Sequence, residues 1–141
     1  LPADSIRLPT ELEWEKAARG EKGLAYPWGD GYRSGFANVD ERSADAGEWY
    51  LEQTTAVGVY PHGASPYGIE DLAGNIDEWC LNTYEDLEAT RPDTSGASRA
   101  LHGGSWFNNP ESRQRARPQQ EQESPGPSQL DKRFSGEPQG L

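Results

Sequence analysis

One capped helix, two short strand patterns and long connections rich in glycine and proline predict a small, loop-rich domain of mixed helix and strand. The 141 residues suit a single domain with a single core. Only 33% of them are apolar, a low share for a globular chain. The apolar residues are unevenly spread. All five tryptophans precede residue 107, whereas residues 112–141 offer only Ala116, Leu130, Phe134 and Leu141.

The helix is expected from Glu11 to Arg19. Thr10 stands as its N-cap and Glu13 as the partner three residues on, a capping box, and Glu11 and Glu13 suit the positive end of the helix dipole. Trp14, Ala17 and Ala18 share the face expected to pack inward, and Gly20 supplies the stop. Tyr26-Pro27-Trp28-Gly29-Asp30 closes the next loop as a rigid turn pinned by two aromatic rings. Thr54 to Tyr60 alternates in the manner of a strand that Pro61-His62-Gly63 ends. His62 has no second histidine at ligand spacing and reads as a surface turn residue.

Pro66 to Cys80 is the densest stretch. Ile69, Leu72, Ile76 and Trp79 are spaced as one helical face, and Gly74-Asn75 interrupts it, so a short helix broken at a turn is expected, with Trp79 as a core anchor. Four acids, Glu70, Asp71, Asp77 and Glu78, crowd the same run. From the residues alone two readings stand. The acids are solvated and Asp71 or Asn75 caps a turn, or clustered oxygens on a bent backbone hold a hard cation such as calcium. Leu81 to Ser98 reads as an exposed connection, and Arg99 to Trp106 as a strand running into the Gly103-Gly104 turn.

Charge narrows the function classes. The chain carries a net charge of −11, and residues 1–111 hold 8 basic against 20 acidic side chains. Such a surface repels phosphate backbones, so no nucleic-acid partner is expected, while a divalent cation or a basic partner suits it. No apolar run reaches membrane-spanning length, and no membrane association is expected. The single cysteine, Cys80, excludes an internal disulfide. The chain starts at Leu1 and contains no methionine, which reads as a piece of a longer reading frame.

These motifs fall in one order along the chain: Arg7-Leu-Pro-Thr-Glu-Leu-Glu-Trp-Glu-Lys-Ala-Ala-Arg19, Tyr26-Pro-Trp-Gly-Asp30, Ala37-Asn-Val39, Gly63-Ala-Ser-Pro-Tyr-Gly68, Ile69 to Trp79, and Gly103-Gly-Ser-Trp106 with the strand before it. Over about residues 6–111 the chain resembles the formylglycine-generating enzyme (sulfatase-modifying factor) family. The resemblance implies an α+β, C-type-lectin-like domain with short strands, long ordered loops and bound calcium. Carried over residue by residue, it implies one calcium site with side-chain oxygens from Asp71 and Glu78 and carbonyls from Gly74 and Ile76. It implies a second, less defined one at Asn38 and the Val39 carbonyl, with Asp45, Glu48 and Glu52 as possible partners.

The chain also departs from the family. Oxidase members place two cysteines shortly after Gly-Gly-Ser, and these bind Cu(I). Here Trp106-Phe-Asn-Asn-Pro-Glu-Ser112 has none, so no copper and no catalysis of that kind are expected. Relatives without the pair include ergothioneine-synthase-type iron proteins, whose iron ligands come from a separate domain, and variable binding proteins of bacterial retroelements. Three functions follow as expectations: a calcium-binding, non-catalytic family domain; a recognition module that binds a protein, peptide or sugar through the loops after Gly104; and an accessory domain of an iron enzyme.

Residues 1–112 are expected to form the partial domain and 113–141 a tail. Six glutamines, four prolines and almost nothing apolar in 113–141 predict disorder. Gln119 to Ser124, read one base later with suitable codons, yields the Asn/Arg-rich run the family carries there, and Lys132 to Gly136 yields its terminal Gly-Phe-Arg, which points to a frameshift near residues 108–113. A missing final strand beside Arg99–Trp106 is then expected, and with it a chain that does not melt cooperatively.

Overall fold

The computed structural model describes residues 6–89, 96–111 and 119–120. Helix α1 spans Glu11–Arg19, and strands β1 (Glu78–Thr83), β2 (Arg99–His102) and β3 (Gln119–Gln120) form one antiparallel sheet in the order β1-β2-β3. Two short 3-10 turns, Arg42–Ala44 and Pro61–Gly63, punctuate the long segment between helix and sheet. No helix among the described residues is long and apolar enough to cross a membrane.

The helix forms where its cap predicts. Thr10 Oγ1 accepts from the Glu13 amide at 3.2 Å and Glu13 returns a bond to the Thr10 amide at 2.8 Å, closing the capping box. Arg7 holds the same carboxylate with two bonds of 2.7 and 2.8 Å. Trp14 and Ala18 point inward as expected, and Ala17 is half-buried. At the helix start the Asn82 carboxamide of β1 accepts from the Glu11 amide at 2.7 Å, while its nitrogen donates to the carbonyls of Leu87 and Ala89. One buried side chain thus joins helix, strand and the following loop.

Two apolar clusters meet across the central stretch. Trp14, Ala18, Leu72, Cys80 and Ala100 form the first, with Leu87 packed on it. Ala37, Val39 and Ala73 form the second, with Trp28 and Tyr32. Leu72 and Ala73 are adjacent in sequence and face opposite clusters, so this segment is the seam of the domain. The Tyr26–Trp28 turn is pinned as expected, its rings stacked at 5.3 Å and the Tyr26 hydroxyl bonded to the Pro110 carbonyl at 3.1 Å.

Several expectations are corrected. The seam is not a broken helix: Gly68, Asp71, Gly74 and Asn75 all have positive φ, which a right-handed helix forbids. Trp79 does not anchor the core but is half-exposed, because β1 turns it outward, and Ile69 and Ile76 are also exposed. Thr54–Tyr60 forms no strand; it is held instead by side-chain bonds from the seam. The connection expected at Leu81–Ser98 begins with Leu81, Asn82 and Thr83 buried inside β1. His62 lies exposed in a turn, as read. Of the tail, residues 119–120 are described, and there the backbone pairs with β2 through Ala100↔Gln120 and Leu101↔Gln119, where no strand was expected. The remainder of 113–141, with the disorder and frameshift expectations attached to it, lies outside the described residues.

Buried polar side chains do much of the tying. Glu41 is fully buried and accepts from the Tyr32 hydroxyl (2.5 Å), Ser34 hydroxyl (2.7 Å), Gly35 amide (2.7 Å) and Trp49 amide (3.4 Å). Nothing in the local sequence distinguished this glutamate from its exposed neighbours. Replacement of Thr10 by Ala removes half of the capping box and should lower the unfolding free energy by about 1 kcal/mol in a denaturant titration, with the change absent from a Thr10→Ser control.

Candidate functional site

The seam and the turn after β2 form the site. Gly74 (φ 77°) donates its amide to the Gly103 carbonyl at 2.8 Å, and Gly103 (φ 81°) lies close to the carbonyl oxygens of Leu72 and Ile76. A Cβ placed on Gly103 would stand 3.7 Å from each of those two oxygens. Asp71, itself in the left-handed region, accepts from the Gly58 amide through Oδ2 at 2.7 Å. The Ile76 amide donates to the Gly74 carbonyl at 2.9 Å. Glu78 accepts from the Trp14 indole N–H through Oε2. Burial raises the Glu78 carboxyl pKa; the indole bond works against this, and the charge of Asp71 adds to it.

Carboxylates and backbone carbonyls are the oxygen donors that a hard cation takes, and here they are Asp71 and Glu78 with the Leu72 and Ile76 carbonyls near Gly103. Among the described residues no three His, Cys, Asp or Glu side chains come together as a metal cluster. A cation here would therefore draw on Asp71 and Glu78 with carbonyls for the rest, as the resemblance implies. Of the carbonyls the resemblance implies, that of Gly74 accepts the Ile76 amide and that of Ile76 lies near Gly103.

Asn38 and Val39 sit across the seam, both buried, and Asn38 pairs in parallel with Gly74. A side chain on Gly74 would collide with the Asn38 carbonyl oxygen and stand 2.6 Å from Val39 Cγ1, so only glycine permits this approach. The three acids named as partners for Asn38 are all exposed, and Glu52 pairs with Arg42 at 3.4 Å.

Sequence reasoning missed the buried cluster on the other side of Trp14. His102 is buried and stacks on the Trp14 ring at 4.3 Å. Among the described residues neither ring nitrogen has a hydrogen-bond partner, and Nε2 lies 3.4 Å from Glu11 Oε1. Burial pushes the imidazole pKa down to about 4 and raises that of the Glu11 carboxyl. Cys80 is fully buried and its thiol is pushed up to about 12 by burial, with Glu11 and Glu78 adding to the shift, so it is no nucleophile. Only the alternation of Arg99 to His102 hinted that His102 faces inward. Beyond Gly104 the chain turns through Ser105–Asn108, where Trp106 stacks on Tyr50 (6.1 Å), Phe107 meets Trp106 edge-on (5.8 Å) and Arg42 lies over Tyr50 (4.7 Å).

The model of the sulfatase-modifying factor enzyme 1-like domain matches residues 3–131. The chain belongs to this family. The match runs past Glu111 into the segment read as a tail. Among curated relatives, this sulfatase-modifying-factor-like chain is 37% identical over 110 residues to the serine/threonine-protein kinase pkn1 of Chlamydia pneumoniae, covering 71% of this chain and 16% of the kinase. It is 37% identical over 106 residues to the inactive C-alpha-formylglycine-generating enzyme 2 of Bos taurus (72% and 32% covered). It is 34% identical over 117 residues to the hercynine oxygenase of Mycolicibacterium smegmatis (71% and 26% covered). The family domain described here thus spans at most about a third of these relatives. Among solved structures, variable protein 1 of Treponema denticola superposes with a TM-score of 0.59 at 27% identity, covering 82% of this chain and 41% of that one. PvdO from Pseudomonas aeruginosa superposes at 0.57 with 23% identity, covering 82% and 46%, a likeness of fold.

The histidine carries a pH signature. Its folded pKa of about 4 lies below the ordinary 6.5, so the unfolded chain binds the proton first. The stability tied to neutral His102 is full above pH 6.5 and lost as pH falls through 4. Glu11 acts in the opposite sense, so the histidine's share is read by difference. In denaturant titrations, His102→Phe, which keeps the ring stack, should flatten that acid limb relative to the parent by a slope approaching about 1.4 kcal/mol per pH unit.

Proposed function

We propose that this sulfatase-modifying-factor-like domain is a calcium-stabilised recognition scaffold with a C-type-lectin-like fold, and that it does not catalyse copper-dependent oxidation. The observation that carries the calcium reading is the bend of residues 71–78. It carries the Asp71 and Glu78 carboxylates, close enough for Asp71 to raise the Glu78 pKa, and the Leu72 and Ile76 carbonyl oxygens near Gly103. A divalent cation there would relieve the repulsion between the two carboxylates and favour the ionised form of Glu78. Thermal melts should rise with calcium and fall with EDTA, and Glu78→Gln should erase the difference between the two. Equal melting of the parent in calcium and in EDTA would defeat the reading.

The non-oxidising part rests on ligand chemistry. Cu(I) binding by thiolates needs a pair, and the only cysteine of this chain is buried with its thiol held protonated. The Bos taurus relative, named as an inactive formylglycine-generating enzyme, supports the same view. Cu(I) titration should show no tight site, and mass spectrometry should find no formylglycine in a cysteine-containing sulfatase-type peptide after incubation. The Tyr50–Trp106–Phe107 surface after Gly104 offers aromatic area for a protein, peptide or sugar ligand, with no nucleic acid or membrane as partner.

A second reading is favoured by the 34% identity to hercynine oxygenase: an accessory domain of an iron enzyme whose metal ligands lie outside this chain. Among the described residues His102 is enclosed by the core and is not placed to join a shared iron site, whereas His62 is exposed.

A further inference from the structure

We propose that a carboxamide brace between Asn38 and Asn75 stands in for the first of the two cations that the resemblance implies, so that this half of the domain closes without a metal ion. The inference rests on the donors around Asn38 and holds whether or not Asp71 and Glu78 bind calcium.

A divalent ion needs converging oxygen lone pairs and negative charge to offset its desolvation. The surroundings of Asn38 supply the reverse. Its Nδ2 donates to the Gln53 carbonyl at 2.9 Å and to Asn75 Oδ1 at 3.1 Å, so the amide presents hydrogens to the oxygens it approaches. The Asn38 carbonyl accepts the Asn75 amide at 2.8 Å. Asn75 Oδ1 also takes the Thr55 amide at 2.8 Å and the Thr55 hydroxyl at 3.4 Å, and Asn75 Nδ2 donates to the Thr55 carbonyl at 3.3 Å. Both asparagines are buried, at 3% and 5% exposure, so water does not compete for these bonds.

Among the described residues no carboxylate bonds the carboxamide of Asn38 or of Asn75. The acids between residues 40 and 52 are each engaged elsewhere or turned to solvent. Asp40 accepts from the Ser43 amide at 3.1 Å, Glu41 is enclosed by its four donors, Glu52 pairs with Arg42, and Asp45 and Glu48 are exposed. A calcium ion bound through Asn38 would sit in a buried place among neutral hydrogen bonds, with no anion among the groups bonded there. The brace already does the mechanical work such an ion would do, tying residue 38, residues 53–55 and the seam into one unit.

The test follows calcium stoichiometry and amide exchange in the parent, Asn38→Ala and Glu78→Gln, each with calcium and with EDTA. The expected results are calcium affinity unchanged within about twofold in Asn38→Ala, no calcium bound by Glu78→Gln, and the same protection of the Thr55 and Asn75 amides in calcium and in EDTA. Asn38→Ala, which keeps the backbone bond from the Asn75 amide to residue 38, should speed exchange at Thr55 by about five- to tenfold through loss of the side-chain bonds to Asn75 and Gln53. Calcium retained by Glu78→Gln, calcium affinity lost in Asn38→Ala, or Thr55 and Asn75 amides released by EDTA in Glu78→Gln would each overturn the proposal. A parent that binds no calcium yet protects both amides equally with and without EDTA leaves the brace standing and removes the calcium reading of Asp71 and Glu78 instead. Should Asn38→Ala fail to fold, the parent and Glu78→Gln alone decide the matter by the same two readouts.

Discussion

The close approach of Asn38 to Gly74 is the contact on which the rest depends. Gly74 has no side chain, so the backbone of residue 38 lies directly against it, and Asn75 then reaches three separate segments. Its amide bonds residue 38, its carboxamide bonds Thr55, and its carbonyl accepts the Trp106 amide at 3.1 Å. Leu72 and Ala73, just before, face the two apolar clusters. Displacing this seam would separate the clusters and the turn after β2 together.

Around the seam, cohesion comes from enclosed polar groups as much as from apolar area. Glu41 gathers the loop from Tyr32 to Trp49, Asn82 joins helix to sheet, and Asn75 joins three loops. Each is nearly or wholly buried and each has its bonds made, the condition under which a buried polar group is tolerated. A chain with 33% apolar residues keeps long irregular segments in place this way. The same arrangement makes the core sensitive at single atoms, since truncating one hub leaves several donors unpaired.

What was legible in the sequence divides by range. The helix and its cap were legible because Thr10 and Glu13 satisfy one another within four residues. The strand into Gly103-Gly104 and the Tyr26–Trp28 turn were legible for the same local reason. The seam was misread as helical because the spacing of Ile69, Leu72, Ile76 and Trp79 mimics a helical face. Asp71 and Asn75 are residue types that tolerate positive φ, and with Gly68 and Gly74 they carried the opposing signal. The Thr54–Tyr60 alternation finds no partner strand among the described residues to make it a strand. Glu41, Asn82 and His102 were invisible as hubs because their roles depend on neighbours remote in sequence. The acids and glycines of the candidate site were legible as a group, and the resemblance supplied their arrangement.

Those remote partners bear on how the domain assembles. The Glu11 amide meets Asn82 71 residues away, and the Tyr26 hydroxyl meets Pro110 84 residues away. The capped helix and the short turns can form early, whereas closing such long loops is entropically slow. On a ribosome making about 5–20 residues per second, the Tyr26 ring waits seconds for the residue it will bond. Until then its aromatic neighbours, Trp28 and Tyr32, have no closed domain to shelter them. The interval between synthesis and closure, more than the finished structure, is where this protein is exposed to aggregation.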